Sequence, residues 1–331
     1  MKTITGLLML SALVVPSSPA AAQGHLQDQI ERITEYALTI AADALGDLVD
    51  ERAERADRQR GPDRNRDDRG QEYTDTFTRT VRLGRNGRLE LDSLSGDVQV
   101  TGTSGDDVRI TATKRVHAAN ESAARDALNA MQVQVTERAG VVTISAGPTR
   151  GRFNGADMDY VIAVPAATDL ALKTASGDVT VKSVTGEVVV NSLSGDVVIS
   201  ESKPRAVNVE LVSGDVSLEK VDSDRVQIKT LSGDITLAGR LAKNGRYELR
   251  THSGDIQIIP EGNTGFELEA SSFSGEVTSN FDLKRPAAAP SNFAPGGRGP
   301  RRSSEVRGTV NDGGAVLSLQ SFSGDILITK R

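Results

Sequence analysis

The sequence predicts an all-β protein built as a β-solenoid-like stack of coils of roughly 18–21 residues, and three observations carry that reading. The first is a returning phrase, Ser-Gly-Asp followed by a β-branched residue, with its glycine at Gly96, Gly177, Gly195, Gly214, Gly233, Gly254 and Gly324. Gly275 adds a copy with Glu276 in place of aspartate, and Thr185-Gly186-Glu187-Val188 adds a degenerate one. From Gly177 to Gly275 the main glycines step by 18, 19, 19, 21 and 21 residues, and the last step, to Gly324, is 49. A period near twenty residues is the mark of a repeat architecture.

The second observation is the apolar pattern around each glycine. Two residues after it stand Val98, Val179, Val188, Val197, Val216, Ile235, Ile256, Val277 and Ile326. Four residues after it the row is again apolar, from Val100 to Ile328, and only Ser279 breaks it. Pairs such as Leu170/Leu172, Val207/Val209 and Leu317/Leu319 lie seven and five residues before it. Alternation with period two is the signature of a half-buried strand. Two residues before glycine come Leu94, Ala175, Leu193, Val212, Leu231, Phe273 and Phe322, with His252 the polar member. Five and two differ in parity, so the strand is expected to bend or bulge there if all these residues are to be buried. Each coil then reads as strand, corner, strand, burying its apolar residues by closing and stacking. Glycine at the corner serves either a positive φ or a close backbone approach, with Ser and Asp capping nearby N–H groups.

The third observation is composition. The chain has 32 glycines, no tryptophan and 3% aromatic residues, which suits a thin core of Val, Ile and Leu. Its 39 basic against 45 acidic side chains give no reason to expect a nucleic-acid partner.

Along the chain, residues 1–22 read as a secretory signal peptide. Lys2 supplies the charged start, Leu7 to Val15 the apolar stretch and Ala20-Ala21-Ala22 the small cleavage site. A retained anchor is the alternative. Residues 23–56 read as an amphipathic helix, with Leu26, Ile30, Ile33, Ala37, Ile40, Ala44 and Leu48 on one stripe. Either self-association through 25–56 or packing on the end of the stack would use that stripe. Residues 57–71, dominated by Arg and Asp, read as a charged disordered linker.

Residues 72–165 read as a β-rich capping part of the repeat domain. Strand-like runs there flank one short helix, with Ala124, Ala127, Leu128 and Met131 on a face and Asn120 or Ser122 as N-cap. That helix is expected to cover an open strand edge. Residues 148–157 read as a loop. Residues 166–331 form the Ser-Gly-Asp-Val repeat domain, interrupted by a flexible Pro/Gly/Arg loop at 282–307 that contains Phe293.

The string Tyr160-Val161-Ile162-Ala163-Val164-Pro165, the run from Leu170 to Val179, the Thr-Gly-Glu-Val half-repeat and Gly313-Gly314-Ala315 before Ser323-Gly324-Asp325-Ile326 carry a family likeness. From about Tyr73 onward the chain resembles a bacterial adhesin-like family of exported or membrane-anchored β-strand repeats, a domain of unknown function. The resemblance implies a fold and transfers no binding residue.

Chemistry is sparse. Nine carboxylates directly follow a corner glycine: Asp97, Asp178, Glu187, Asp196, Asp215, Asp234, Asp255, Glu276 and Asp325. Stacked at about 4.8 Å, neighbouring charges in water would repel by about 0.9 kcal/mol, which a solvated row can bear. Calcium-binding rolls use nonapeptides richer in glycine, and among the glycines of the repeat phrase only Gly177, Gly186 and Gly195 are nine apart. His25, His117 and His252 stand in three unrelated contexts, and no nucleophile elbow, metalloprotease helix or phosphate loop occurs. No catalytic, cofactor-binding or metal residue is assigned, and no cofactor is expected. Without cysteine, the fold must form without disulfides or thiolate ligands, which fits an envelope protein.

The sequence thus reads as a non-enzymatic exported repeat protein, periplasmic or extracellular, serving as a structural or adhesin-like binding surface of the cell envelope. Its partner would be an envelope protein or a glycan. The rival readings are a polysaccharide-active β-helix enzyme and a calcium-stabilised secreted β-roll.

Overall fold

The computed structural model describes residues 70–84, 86–146, 156–284 and 304–330. The chain divides into two units, Met1–Gln59 and Arg60–Arg331, and every described residue belongs to the second. The expected signal peptide, the helix 23–56, nearly all of the linker 57–71 and most of the loops 148–157 and 282–307 lie outside the described residues.

Four strands open the described chain: β1 (Gln71–Arg82), β2 (Arg88–Ser95), β3 (Val98–Thr103) and β4 (Asp107–Ala118). The helix α1 (Glu121–Ala130) follows, then β5 (Val133–Arg138), β6 (Val141–Ala146) and β7 (Ala156–Pro165). Next come β8 (Asp169–Ser176), β9 (Val179–Lys182), β10 (Val188–Ser194), β11 (Val197–Ser200), β12 (Ala206–Ser213), β13 (Val216–Glu219) and β14 (Ser223–Ser232). The long β15 (Ile235–Ser253) leads to β16 (Ile256–Glu261), β17 (Phe266–Ser274), β18 (Val277–Ser279), β19 (Ser304–Val310), β20 (Ala315–Ser323) and β21 (Ile326–Ile328).

These strands form two ladders joined at Ser-Gly-Asp corners. The ladder entering the corners runs β5, β6, β2, β8, β10, β12, β14, β15, β20, β17, β19. The ladder leaving them runs β1, β4, β7, β3, β9, β11, β13, β15, β16, β21, β18. Pairing is parallel from β6 to β17 and from β7 to β18, and antiparallel only at the outer strands. Because β15 belongs to both ladders, the strands make one continuous sheet. The all-β expectation holds, but the architecture is a sheet wrapped almost into a barrel, not a plain solenoid with coils in chain order.

The order of the coils differs from the chain at both ends. The coil β2/β3 lies between β6/β7 and β8/β9. The last coil, β20/β21, lies between β15/β16 and β17/β18. At the N-terminal end the chain goes from β2/β3 out to β6/β7 and then back past β2/β3 to β8/β9; at the C-terminal end it runs to the outer β17/β18 and returns to fill the place beneath it with β20/β21. This explains the 49-residue step from Gly275 to Gly324: β19 and the preceding loop intervene, and the two coils are neighbours in reverse order.

The core lies between the ladders. In the leaving ladder it takes the residues two and four after glycine, such as Val216 and Leu218, in register with Ile235 and Leu237. In the entering ladder it takes those seven, five and three before glycine, such as Leu170, Leu172 and Thr174. Val188 and Val190 of the degenerate repeat align with Leu170 and Leu172, so they continue the entering ladder.

The expected bulge between positions −5 and −2 is absent. The strands keep one parity to the corner, so position −3 is buried and position −2 faces out. In six of the eight coils a Ser or Thr takes this place and its hydroxyl finds a carbonyl beside the corner, while Ser93 and Leu211 fill it in the other two. Thr174, Ser192 and Thr230 donate to the carbonyl oxygen two residues on, at 3.2, 3.1 and 3.2 Å. Thr251, Ser321 and Ser272 donate to the corner glycine of the adjacent coil, at 3.2, 3.1 and 2.8 Å.

The helix α1 forms as read. Asn120, not Ser122, is its N-cap, accepting the Ala123 N–H at 2.9 Å, and Ala124, Ala127 and Met131 are buried. It packs against β4 and β1 at the end of the core. No helix among the described residues is long and apolar enough to cross a membrane.

Candidate functional site

Each corner is built the same way, and its repetition makes a ridge along the stack. The corner glycine carries a positive φ, from 105° at Gly96 to 149° at Gly324, in every Ser-Gly-Asp copy; Gly275 and the degenerate Gly186 do not share it. It also lies hard against the coil beside it: a Cβ on Gly233 would stand 2.0 Å from the carbonyl oxygen of Gly214. Both expected reasons for glycine therefore operate together.

The aspartate after glycine links coils. The N–H of Asp178 donates to Oδ1 of Asp97 at 3.0 Å, that of Asp196 to Asp178 at 2.9 Å and that of Asp215 to Asp196 at 2.8 Å. The series goes on through Asp234, Asp255 and Asp325 to Glu276, each N–H meeting the carboxylate of the coil before it in space, at 2.7–2.8 Å. At the other end the Asp97 N–H meets Asp159, which also pairs with Arg115. The expectation of local capping is corrected here: the carboxylates cap donors one coil away. A carboxylate acceptor makes each link a charge-assisted hydrogen bond. The side chains remain exposed.

Eight of the nine sequence-assigned carboxylates meet in this ladder. Glu187 does not, because Gly186 sits at the opposite corner, packed on Thr168, and the Glu187 N–H donates to Asp169 Oδ1 at 2.8 Å. That second corner was not legible in the sequence. Ser183, Glu201 and Lys220 hold equivalent positions there with φ of 57°, 51° and 53°, yet share no chemistry.

Beside the carboxylates runs the −2 row: Leu94, Ala175, Leu193, Val212, Leu231, His252, Phe322 and Phe273 in spatial order. Coil spacing makes it about 34 Å long. The two ends are open, Leu94 at 53% and Phe273 at 44% exposure, while the middle is half-buried by neighbours in the row. The rings of His252 and Phe322 stack at 4.7 Å and those of Phe322 and Phe273 at 4.8 Å, tilted by 11° and 8°. Sequence reasoning placed this row inside. Its outward-facing neighbours on the same strands are mostly polar, as Glu90, Lys173, Asn208, Gln227 and Glu248 show.

Hidden ionisable groups are few. Tyr160 is fully buried with its hydroxyl 2.9 Å from Met158 Sδ, and burial, helped by the Asp92 charge, raises its pKa to about 12. Tyr247 is raised by burial too, although its hydroxyl oxygen accepts the Ala242 N–H at 2.7 Å; it donates to the Ser223 carbonyl at 2.8 Å. Both rings lie in the core of the stack, 0% and 2% exposed. Among the described residues no group of three His, Asp or Glu is placed to hold a metal ion.

Several solved structures are similar to this chain at low identity. A proposed cell adhesion protein from Clostridium sporogenes is 12% identical, covers 78% of this chain and 100% of its own, and gives a TM-score of 0.37. For a proposed adhesin from Bacteroides fragilis the values are 13%, 77%, 97% and 0.39. For a proposed lipid binding protein from Parabacteroides distasonis they are 11%, 77%, 96% and 0.32. Among curated proteins none matches. The family model of Toastrack DUF4097 matches residues 129–329, from the end of α1 through β21. Over that span, more than half of its length, the chain belongs to the Toastrack DUF4097 family.

Proposed function

We propose that the protein is an exported, non-enzymatic, solenoid-like β-repeat module of the bacterial envelope, and that its ridge is an adhesin-like binding surface for a basic, apolar polypeptide segment of an envelope protein. One observation carries the reading: a row apolar at all places but His252 stands outside the core, directly beside a row of exposed carboxylates. If the corner served stacking alone, position −2 would be polar like the other outward positions. Keeping it apolar in seven of eight coils leaves contact surface that folding does not need. The parallel acidic row favours a cationic partner through charge complementarity. A glycan is the weaker fit, since the rings of His252, Phe322 and Phe273 already spend their faces on one another along the row and the chain has no tryptophan. A polysaccharide-cleaving site would break the repeat at one coil, whereas here the same carboxylate-to-N–H link recurs from coil to coil and Glu276 joins it as aspartate does.

The test uses the mature chain and two fluorescent peptides, one of alternating arginine and leucine and one of alternating glutamate and leucine. The cationic peptide should bind, weaken as salt rises, and bind about tenfold less tightly to Phe273→Ser/Phe322→Ser, a loss of about 1.4 kcal/mol. Equal binding of both peptides, or of neither, would overturn the reading.

A further inference from the structure

Among the described residues, the strand β1 ends the leaving ladder on its N-terminal side with one edge in use. Its twelve residues pair antiparallel with β4 in unbroken register, from Gln71↔Ala118 to Arg82↔Asp107. No other strand among the described residues pairs with it. The helix α1 packs at the end of the core and adds no strand to this edge, so a long row of N–H and C=O groups faces outward. Such an edge is a template for strand addition unless something blunts it. β1 contains no proline, glycine or lysine.

It does contain charges, and their positions are specific. By alternation Tyr73, Asp75, Phe77, Arg79 and Val81 share the core-side face, where Val81 is buried and Tyr73 and Phe77 pack on the core. Asp75 and Arg79 stay open on that face, with side chains 53% and 46% exposed. Charges on the inward side of an edge strand deter unrelated strands. A partner with the opposite charges at the matching places would be accepted.

We propose that this partner is a second copy of the chain, with β1 adding antiparallel to β1 about a two-fold axis through Phe77. That register sets Asp75 opposite Arg79 and Glu72 opposite Arg82, each twice by symmetry, with Tyr73 opposite Val81 and Phe77 opposite itself. On the outer face it sets Thr74 opposite Thr80 and Thr76 opposite Thr78, pairs that favour strand association. Neighbouring two-fold registers lose the match. Moving the axis to Asp75 or to Arg79 sets like charges face to face, and moving it to Thr76 or Thr78 sets Asp75 and Arg79 against uncharged residues. The contacts these two residues already make, Asp75 to Lys114 at 3.0 Å and Arg79 to Glu137 at 3.5 Å, are exposed ones that a second partner can join. The interface is isologous and closes at two copies.

Sedimentation of the mature chain across a concentration series tests this. The wild type should dimerise. Arg79→Asp alone, or Asp75→Arg alone, should weaken the dimer about tenfold or more by setting like charges opposite. The double swap Asp75→Arg/Arg79→Asp should restore it. The chain has no cysteine, so a mixture of a Thr76→Cys protein with a Thr78→Cys protein should cross-link by a disulfide on mild oxidation, because directly opposed residues lie within disulfide reach and diagonal ones, about 7–8 Å apart, do not. Thr78→Cys alone should cross-link far less. A chain that stays monomeric throughout, a dimer indifferent to Arg79→Asp, or a double swap that fails to rescue although the Cys proteins fold, would overturn the proposal.

Discussion

Asp215 accepts an N–H from the coil above through Oδ1 and donates its own N–H to the carboxylate of Asp196. The fold asks for an oxygen at that place and not for a charge. Asp215→Asn/Asp234→Asn should therefore leave thermal stability nearly unchanged, or slightly higher at low salt, because repulsion along the row is relieved. Asp215→Ala should cost roughly 1–2 kcal/mol in chemical denaturation, since the Asp234 N–H loses its acceptor. A melting temperature that rises with millimolar calcium, and stops rising in the double Asn variant, would instead make the row a metal site. Tyr160 gives a second test at this scale. Its raised pKa means that the fold holds the phenol proton more tightly than the unfolded chain, whose value is near 10.0. Stability from this group is complete below about pH 10 and falls as pH rises toward 12. Tyrosine absorbance titration should show a late fraction that ionises together with unfolding.

At the scale of the element, the strands were legible because their apolar residues keep a period of two on either side of a fixed glycine. Val216 and Ile235 face inward in adjacent coils as that alignment requires, 1% and 0% exposed. Val216→Asp should destabilise by several kcal/mol through an unpaired buried charge, checked by urea titration. The −2 row is apolar by type yet faces out, so residue type alone does not give its burial. The position is set instead by the straight parity of the strand, and Thr174 or Ser192, polar by type, take the buried place through hydroxyl bonds to carbonyls. The second corner was silent for a different reason: Ser183, Glu201 and Lys220 contribute backbone conformation rather than a side-chain type, so no letter repeats.

For the whole molecule, the sequence marks how many coils there are but not their order, because each coil offers its neighbours nearly the same surface. The departures from chain order lie in two short connections: residues 166–168 carry the chain from β7 past the coil β2/β3 to β8, and residues 311–314 carry it from β19 past β17 to β20. The resulting two-ladder sheet is self-contained among the described residues, and removing residues 23–69 should leave its β circular-dichroism spectrum and cooperative melt in place. Loss of that signal would make the N-terminal unit part of the core. The central claim is the ridge itself, with corners in the order 254, 324, 275. Parallel neighbours lie about 4.8 Å apart, within reach of a disulfide, and next-nearest coils about 9.6 Å apart, beyond it. Ser253 and Ser323 are in register in adjacent strands, as are Ser323 and Ser274. In this cysteine-free chain, mild oxidation should close a disulfide in Ser253→Cys/Ser323→Cys and leave Ser253→Cys/Ser274→Cys reduced. A bond formed in the second variant and not in the first would return the coils to chain order and contradict the account.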